Sequence, residues 1–539
     1  MAKKIPLILV IDAKSESKDG IVTVKGTCLT GFKGSRQTMD TSRVTVGTAE
    51  DRQFFDVRFG SKKGMPAVKG FRLNRFELSF PIEKALWLDV QNKVFVYYGG
   101  KKDEEAGIVP GTMYYSAADR RTGKGKTGRL YFEGDKTVFF RQTRKNTVYL
   151  TVRKTDRYDL PEGINAVEEA VEKARKLGPS DMVLMYEKNC ERFEESASVL
   201  FRNLIDIGYD NVYYILDTES PAYDLVEEKY RPFIIPKDSF SHLVSFFRCS
   251  KFVGTETVGH ALSLRSSNKH IIQKVQDSDL AHVFLQHGVM YMVSLDSEMR
   301  AEFRSIERKL YRVVVSSQKE ADHFIELGGF DPRELYVTGL AKFDTAFRNE
   351  GADRIVIMPT WRRWEINDAE NRFEETGYYK LLKEMVDAIP IAYKDKVIVL
   401  PHPLMRQYLD KDTAASSMKG CFPPENKTYD EILRDCDILI TDYSSIAYDA
   451  FYRGAKVIFC WRDLDDCMER YGGAHLMLDK DSAFGDVCMT AEELSKAVRR
   501  AAEGTRPEEY EKRYKEIVAF SDGRNTDRII DHLIKDGIL

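Results

Sequence analysis

The spacing of apolar and polar residues divides the chain into two regions with different predicted folds. Residues 1–157 alternate apolar and polar positions over short runs, with Gly, Asp and Lys between them. Closely spaced, half-buried strands of this kind are typical of an all-β, sandwich-like domain. Beyond residue 180 the apolar runs become continuous and alternate with helix-length segments, which predicts an α/β architecture.

The α/β region is predicted to contain two halves, residues 163–347 and residues 350–539. The second half repeats the strand–helix alternation of the first and is expected to end in a helix. Continuous apolar strands are typical of parallel sheets covered on both faces, so each half is predicted to be Rossmann-like. Pro161 and Gly163 mark the predicted linker between the β region and these halves.

The run ILITDYSSIAYDA at residues 438–450 combines a buried strand with the start of a helix. Apolar residues then recur at helical spacing, and Gly454 is expected to end the helix. Free N–H groups, the positive end of the helix dipole and hydroxyl groups would meet in the turn, which predicts a phosphate site. Its candidate residues are Thr441, Asp442, Ser444 and Ser445. Asp442 or Ser444 could instead be only an N-cap.

Two further apolar strands are followed by polar residues. RIVIMPTWRRW at 354–364 leads into Thr360 and Arg362, and KVIVLPHP at 396–403 leads into His402. Ligands of parallel sheets bind beyond the carboxyl ends of the strands, so these side chains are predicted to line one crevice with the 441–445 turn. Arg362 offers a fork for phosphate oxygens, and His402 offers a proton or a hydrogen bond.

A fourth strand, HVFLQHG at 282–288, ends in His287. A single histidine at a strand end is often structural. With a phosphate crevice in the other half of the chain, however, His287 is the best candidate for a general base.

Charge and composition indicate a second class of binding partner, besides the phosphate-bearing ligand. Residues 1–157 contain 31 Lys and Arg against 17 Asp and Glu, a net charge of +14, whereas the other 382 residues carry 51 against 68, a net charge of −17. Such asymmetry predicts that the basic region meets a polyanion or an anionic membrane surface, although a solvated lysine-rich surface is the alternative. No apolar run is long enough for a membrane span, and the scattered eight cysteines favour a reducing cytoplasm.

The order of these motifs resembles the CDP-glycerol glycerophosphotransferase family of teichoic-acid and capsule enzymes. The resemblance covers about residues 180–535. It rests on QHG, SSQKEADHF, GFDP, PTWR, PHP and CDILITDYSSIAYD, and it continues through KVIFCWRDLDDCMERYG to SDGRNTDRIIDHL.

The resemblance implies two facing halves in a GT-B arrangement. It also implies transfer of glycerol phosphate, or a related polyol phosphate, from CDP-glycerol to a hydroxyl of a cell-wall or capsular polymer, with release of CMP. His287 would be the base, Arg362 and His402 would neutralise the pyrophosphate, and a later carboxylate would meet polyol or ribose hydroxyls. The candidates for that carboxylate are Asp463, Asp465 and Asp466, which could equally form an acidic helix start.

The same resemblance, together with the charge pattern, implies the partners and the place of action. We expect a CDP-glycerol or other CDP-polyol donor, an anionic polymer or lipid-linked acceptor, and no nucleic acid. The protein is expected to be cytoplasmic and peripheral at the inner face of the membrane. No metal ligands are assigned, no cofactor is predicted, and the dependence on a divalent metal stays open.

Two departures from the family pattern, and two other functions, stay open. GLAKFD at 339–344 replaces the usual Gly-x-Pro-Arg-x-Asp, and HGVMYMVSLD follows the base, so the acceptor and the exact polyol are open. A GT-B nucleotide-sugar glycosyltransferase or a non-catalytic polyanion-binding protein would also fit the predicted architecture.

Overall fold

The computed structural model describes residues 8–11, 16–18, 20–32, 45–48, 54–60, 71–82, 91–98, 109–115, 126–127, 130–142, 148–296, 308–365, 373–401, 418, 420–423 and 427–539. The chain forms two compact units. The first unit comprises Met1–Lys176 and Ser263–Asp277, and the second comprises Leu177–Leu262 and Ser278–Leu539.

Twelve strands make up most of the described part of the first unit. They are β1 Ile8–Ile11, β2 Glu16–Lys18, β3 Ile21–Phe32, β4 Thr45–Thr48, β5 Phe54–Gly60, β6 Phe71–Pro81, β7 Gln91–Tyr98, β8 Val109–Tyr115, β9 Lys126–Thr127, β10 Tyr131–Glu133, β11 Lys136–Gln142 and β12 Val148–Lys154. Helices α1 (Pro161–Leu177) and α5 (Lys269–Val275) fall almost wholly or wholly within the same unit.

The strand pairing in this unit differs from the predicted sandwich. The hydrogen-bonded neighbours run β7–β4–β5–β6–β3–β1–β8, and β8 pairs again with β7, so the described strands close into a ring. All these pairs are antiparallel except β1 with β8. Alternation along a strand fixes which face is buried, but it does not say whether the two edge strands pair with each other, and pairing removes the exposed edges.

The second unit contains two fully parallel sheets, as the continuous apolar runs predicted. The first sheet has the order β15-β14-β13-β16-β17-β18-β19, and the second has the order β21-β20-β22-β23-β24. The strands of the first are β13 Ser180–Tyr186, β14 Val212–Leu216, β15 Ile234–Pro236, β16 Cys249–Gly254, β17 Ala281–Phe284, β18 Leu310–Val315 and β19 Leu335–Val337. Those of the second are β20 Arg354–Ile357, β21 Val397–Val399, β22 Cys436–Thr441, β23 Lys456–Cys460 and β24 Asp486–Cys488.

Helices of the second unit connect these strands or follow the last of them. They are α2 Ser196–Asp206, α3 Pro221–Asp224, α4 Phe240–Arg248, α6 Gln318–Glu326, α7 Gly377–Asp387, α8 Tyr429–Arg434, α9 Ile446–Tyr452, α10 Leu464–Arg470, α11 Ala491–Glu503, α12 Glu508–Ile517 and α13 Asn525–Lys535. Short 3₁₀ turns lie at Arg157–Asp159, Lys188–Cys190, Arg231–Phe233, Val258–Ala261, Pro332–Glu334, Ala341–Thr345, Arg363–Glu365, Phe373–Glu375 and Ile391–Lys396.

The strand orders place the crevices of both sheets. Counted from its own first strand, the first sheet has the order 3-2-1-4-5-6-7 and the second has the order 2-1-3-4-5, both of which are doubly wound. The order reverses between β13 and β16 in one sheet and between β20 and β22 in the other. Ligands bind at such reversals, beyond the carboxyl ends of the strands. In the described part of the chain, no helix is long and apolar enough to cross a membrane.

Candidate active site

The segments after β20 and β22 meet at the strand reversal of the second sheet. The Asp442 carboxylate accepts hydrogen bonds from the Thr360 N–H at 2.8 Å and the Thr360 hydroxyl at 2.7 Å. The Thr441 hydroxyl donates to the Met358 carbonyl at 2.6 Å. These bonds fasten two segments 82 residues apart, so the prediction that both motifs share one crevice edge agrees with their positions.

Arg362 lies at the centre of this edge and is buried to 1% exposure. Its guanidinium donates to Asp442 at 2.9 Å, to Asp463 at 2.8 Å and to the Thr360 carbonyl at 2.6 Å. Burial alone would lower the pKa of Arg362, but the two carboxylates hold it above its ordinary value. The charge of Arg362 is therefore already balanced by protein groups, and its predicted direct contact with phosphate stays a prediction.

Asp463 and Tyr443 complete the network. The Tyr443 hydroxyl donates to Asp463 at 2.9 Å, and the Arg362 guanidinium lies over the Tyr443 ring at 5.4 Å from its centre. Burial raises the pKa of the Asp463 carboxyl, but Arg362 and the hydrogen bonds outweigh that effect and hold it below its usual value. The Asp463 side chain is 31% exposed, so it is held by Arg362 and Tyr443 and is still accessible from the crevice.

Ser444 and Ser445 form the exposed part of the turn. Both are half-buried, whereas Thr441 and Asp442 are fully buried. Helix α9 begins directly after Ser445 and is followed by Gly454 at φ +104°, as the spacing predicted. The structure thus separates the candidates of this motif into two buried residues that support the turn and two half-buried serines, and the Ser444 hydroxyl accepts the Ile446 N–H at 3.4 Å, as an N-cap would.

His287 follows β17 at the carboxyl edge of the first sheet. It comes after Gln286, which has a left-handed φ of +58°, a conformation that stores strain. A third of the His287 side chain is exposed, yet Nδ1 is buried and lies 3.9 Å from a Glu256 oxygen. Burial, together with the ammonium groups of Lys188 and Lys342, lowers the pKa of His287 to about 4. The imidazole is therefore neutral at physiological pH, as a general base requires.

The base segment and the serine turn lie against each other. A Cβ atom added to Gly288 would meet the Ser445 hydroxyl oxygen at 2.9 Å. The Tyr448 hydroxyl, on α9, donates to the Tyr291 carbonyl at 2.7 Å, and Val293 pairs with Leu476 across the two halves. The structure therefore brings Ser445 against Gly288, the residue directly after His287, although the serine and glycine positions are 157 apart in the sequence.

The remaining predicted residues are more dispersed. His402 lies outside the described residues. Asp465 and Asp466 are exposed in the first turn of α10, where Asp466 pairs with Arg470 at 3.0 Å. Among the residues that the structure describes, no group of three or more His, Cys, Asp or Glu is arranged to hold a metal ion.

Sequence reasoning missed several charged groups around the base. Glu256 stands between His260 at 3.8 Å and His287 at 3.9 Å, and Lys188 pairs with Glu195 at 2.7 Å. Glu256 follows the apolar strand β16 just as His287 follows β17, so the same strand-end rule could have found it. Lys188 follows strand β13 in the same way. Glu195 carries no such signal, because its approach to Lys188 depends on the left-handed turn at residues 188–190.

A family model described as CDP-Glycerol:Poly(glycerophosphate) glycerophosphotransferase matches residues 173–535, more than half of the chain. Two curated relatives have similar sequences. The minor teichoic acid biosynthesis protein GgaB of Bacillus subtilis (strain 168) is 25% identical over 372 residues, covering 64% of this chain and 39% of its own length. The teichoic acid poly(ribitol-phosphate) polymerase of Bacillus spizizenii is 24% identical over 258 residues, covering 42% of this chain and 38% of its own.

The match therefore spans less than half of each relative's length. Among solved structures, that of the wall teichoic acid polymerase TagF aligns with a TM-score of 0.49 and 14% identity, covering 69% of this chain and 94% of that one.

Proposed function

Because this chain belongs to the CDP-glycerol:poly(glycerophosphate) glycerophosphotransferase family, we propose that it transfers glycerol phosphate, or a related polyol phosphate, from CDP-glycerol. The acceptor is a hydroxyl of a cell-wall or capsular polymer, and CMP is released. The two parallel sheets of the second unit act as the facing halves of a GT-B arrangement, with the donor held by residues 350–539 and the acceptor by residues 163–347.

One observation carries this proposal: a neutral histidine and a serine turn at a sheet reversal lie side by side. His287 belongs to the first sheet and Ser445 to the second, and Gly288 leaves just enough room for the Ser445 hydroxyl. A phosphate held by the turn would stand close to a base that can activate an attacking hydroxyl. Proximity of the two reacting groups supplies much of the rate in such transfers.

The chemical step joins the two substrates with His287 as the base. The acceptor oxygen forms a bond to the β-phosphorus, and the bond from that phosphorus to the bridging oxygen breaks. CMP leaves with the electron pair, and the acceptor proton passes to His287. Since Nδ1 is buried beside Glu256, Nε2 is the nitrogen left to take the proton.

The other residues divide into contact and support. Ser444, Ser445 and their backbone N–H groups bind phosphate oxygens, and the exposed oxygen surface of Asp463 meets a polyol or ribose hydroxyl. Arg362, Asp442 and Thr360 hold the turn in shape, and His402 contributes to neutralising the diphosphate. Negative charge develops on the phosphate oxygens in the transition state. Hydrogen-bond donors and positive charges that already lie there usually lower the barrier more than any other single effect.

The first unit and the location belong to the same proposal. Its excess of basic residues fits an anionic acceptor polymer or anionic lipid headgroups, and action at the cytoplasmic face of the membrane would bring both within reach. This would concentrate a long acceptor near His287 without selecting its sequence of units.

The test is a transfer assay with a short poly(glycerol phosphate) acceptor and three donors: CDP-glycerol, CDP-ribitol and a UDP-hexose. We expect acceptor-dependent release of CMP from a CDP-polyol, lost in His287→Asn and retained in His270→Asn, a half-buried histidine of the first unit. Use of the UDP-hexose alone would indicate a glycosyltransferase. Tight binding of the polymer with no transfer from any donor would indicate a non-catalytic protein.

A further inference from the structure

Lys342 joins the base segment to the helix of the serine turn. It lies in the 3₁₀ turn Ala341–Thr345, which follows the last strand of the first sheet. Its Nζ donates to the carbonyl oxygen of His287 at 2.8 Å and pairs with the Asp449 carboxylate at 2.6 Å. Asp449 lies in the first turn of α9, four residues after Ser445.

The link is largely buried, unlike most ion pairs in the described part of the chain. The Lys342 side chain is 12% exposed and that of Asp449 is 9% exposed. A buried pair of this kind is costly to break from one side, because the remaining charge is left without a partner. The same ammonium lies 4.0 Å from the position of a Gly288 Cβ, so it closes the space between base and turn.

The geometry points to Lys342 as a positioning residue of the proposed transfer, one that fixes His287 against Ser445 through Asp449. The predicted effect on kcat rests on the proposed function, whereas the positioning of His287 by Lys342 rests on the contacts alone. Lys342 itself is held by the His287 carbonyl and the Asp449 carboxylate within the protein. Its effect on the reaction therefore passes through the place and the charge state of His287.

The charge effect has a definite sign. The groups that face His287 are Lys188 and Glu195 from the segment after β13, Glu256 after β16 and Lys342 after β19, with Asp449 behind Lys342. Loss of the Lys342 ammonium removes a positive neighbour and leaves the Asp449 carboxylate unpaired. Both changes favour the imidazolium, so the pKa of His287 rises.

The first measurement needs no substrate. Carbon-13 labelling of the nine histidines, with His287→Asn for assignment, follows the His287 ring through a pH titration. We expect the midpoint to rise in Lys342→Met and to stay unchanged in Lys456→Met. Lys456 pairs with Asp437 at 3.1 Å, and both side chains are 19% exposed. The pair lies at the amino-terminal ends of β22 and β23, whereas Ser445 follows the carboxyl end of β22. An unmoved His287 titration in Lys342→Met would overturn the inference.

The second measurement is the transfer assay. We expect Lys342→Met to lower kcat about 100-fold, the scale of a misplaced catalytic group, while KM for CDP-glycerol changes less than about threefold. The acidic limb of the rate profile should move to higher pH. Lys342→Arg should recover most of kcat, and Asp449→Asn should show the same loss in milder form. Normal kcat and an unmoved profile in both Lys342→Met and Asp449→Asn would refute the positioning role.

Two outcomes separate this inference from the proposed function. If the wild-type protein transfers nothing from any CDP-polyol, the proposed function is lost, yet the histidine titration still decides whether Lys342 governs His287. If Lys342→Met fails to fold, Asp449→Asn decides the same question, since it breaks the ion pair and leaves Lys342 in place.

Discussion

The buried network around Arg362 allows a sharp prediction about stability and donor binding. In Arg362→Ala, Asp442 and Asp463 lose the cation that balances them, at N–O distances of 2.9 and 2.8 Å. Breaking a buried pair from one side costs about 3–5 kcal/mol. The surviving carboxylates also repel a phosphate at the neighbouring serine turn, so binding of CMP should fall along with stability.

A matched pair on the surface supplies the control. Arg500 pairs with Asp486 at the same 2.9 Å, but the two side chains are 62% and 24% exposed, against 2% and 0% for Arg362 and Asp442. Exposed pairs contribute at most about 1 kcal/mol, so Arg500→Ala should change little. The two pairs share chemistry and distance, but Arg362 is buried and has a second carboxylate partner in Asp463, so its loss should cost far more.

Urea unfolding followed by tryptophan fluorescence measures both variants. Trp361, Trp364 and Trp461 all belong to the second half, and the Trp461 indole donates to the Asp442 carbonyl at 3.1 Å. The double variant Arg362→Met with Asp442→Asn should recover part of the lost stability, because it removes one unpaired carboxylate with its partner. Equal losses in Arg362→Ala and Arg500→Ala, or no recovery in the double variant, would refute the reasoning.

Three further predictions concern the base, its neighbouring glycine and a distant histidine. Because the pKa of His287 is lowered to about 4, kcat/KM should show no acidic limb at the ordinary histidine value and should fall only as pH approaches 4–5. Gly288→Ala should push the Ser445 hydroxyl aside, weakening CMP binding severalfold by calorimetry with little change in unfolding midpoint; unchanged binding would place Ser445 outside the site. Burial also lowers the pKa of His242 to about 4, so on acidification this histidine takes up a proton in the unfolded chain before it does so in the folded one. The free energy of unfolding should therefore be fully present above about pH 6.5 and should fall by about 3 kcal/mol as pH drops from there through 4. His242→Gln should flatten this dependence in urea titrations.

The elements that sequence predicted well are those fixed by local pattern. Strand β22 and helix α9 appear where the apolar run and the helical spacing placed them, and Gly454 has the left-handed backbone that a helix stop needs. Both parallel sheets follow in the same way from continuous apolar runs. Strand ends also located His287 and Ser445 correctly at carboxyl edges, because that rule depends only on sheet type.

The elements that sequence could not predict depend on distant pairing. The partners of Arg362 lie 80 and 101 residues further along the chain, so nothing local indicates that its charge is already balanced. The ring of strands in the first unit forms because β8 pairs with β7 as well as with β1. The alternation of apolar and polar residues within a strand does not indicate which strands pair. In the sequence Lys342 is only a departure from a family pattern, and its two anchors are visible only in the folded chain.

The last helix has a consequence for how the protein is made. Helix α13 packs onto the first sheet, where His532 stacks on Tyr336 at 4.4 Å and Arg312 pairs with Asp536 at 2.6 Å. A ribosome finishes β19 at Val337 and reaches Asn525 only 188 residues later. At about 5–20 residues per second, that edge waits roughly 10–40 s for its cover. The first half is therefore synthesised early but completed late, so nascent chains stalled in between should expose this uncovered edge to chaperones or to one another.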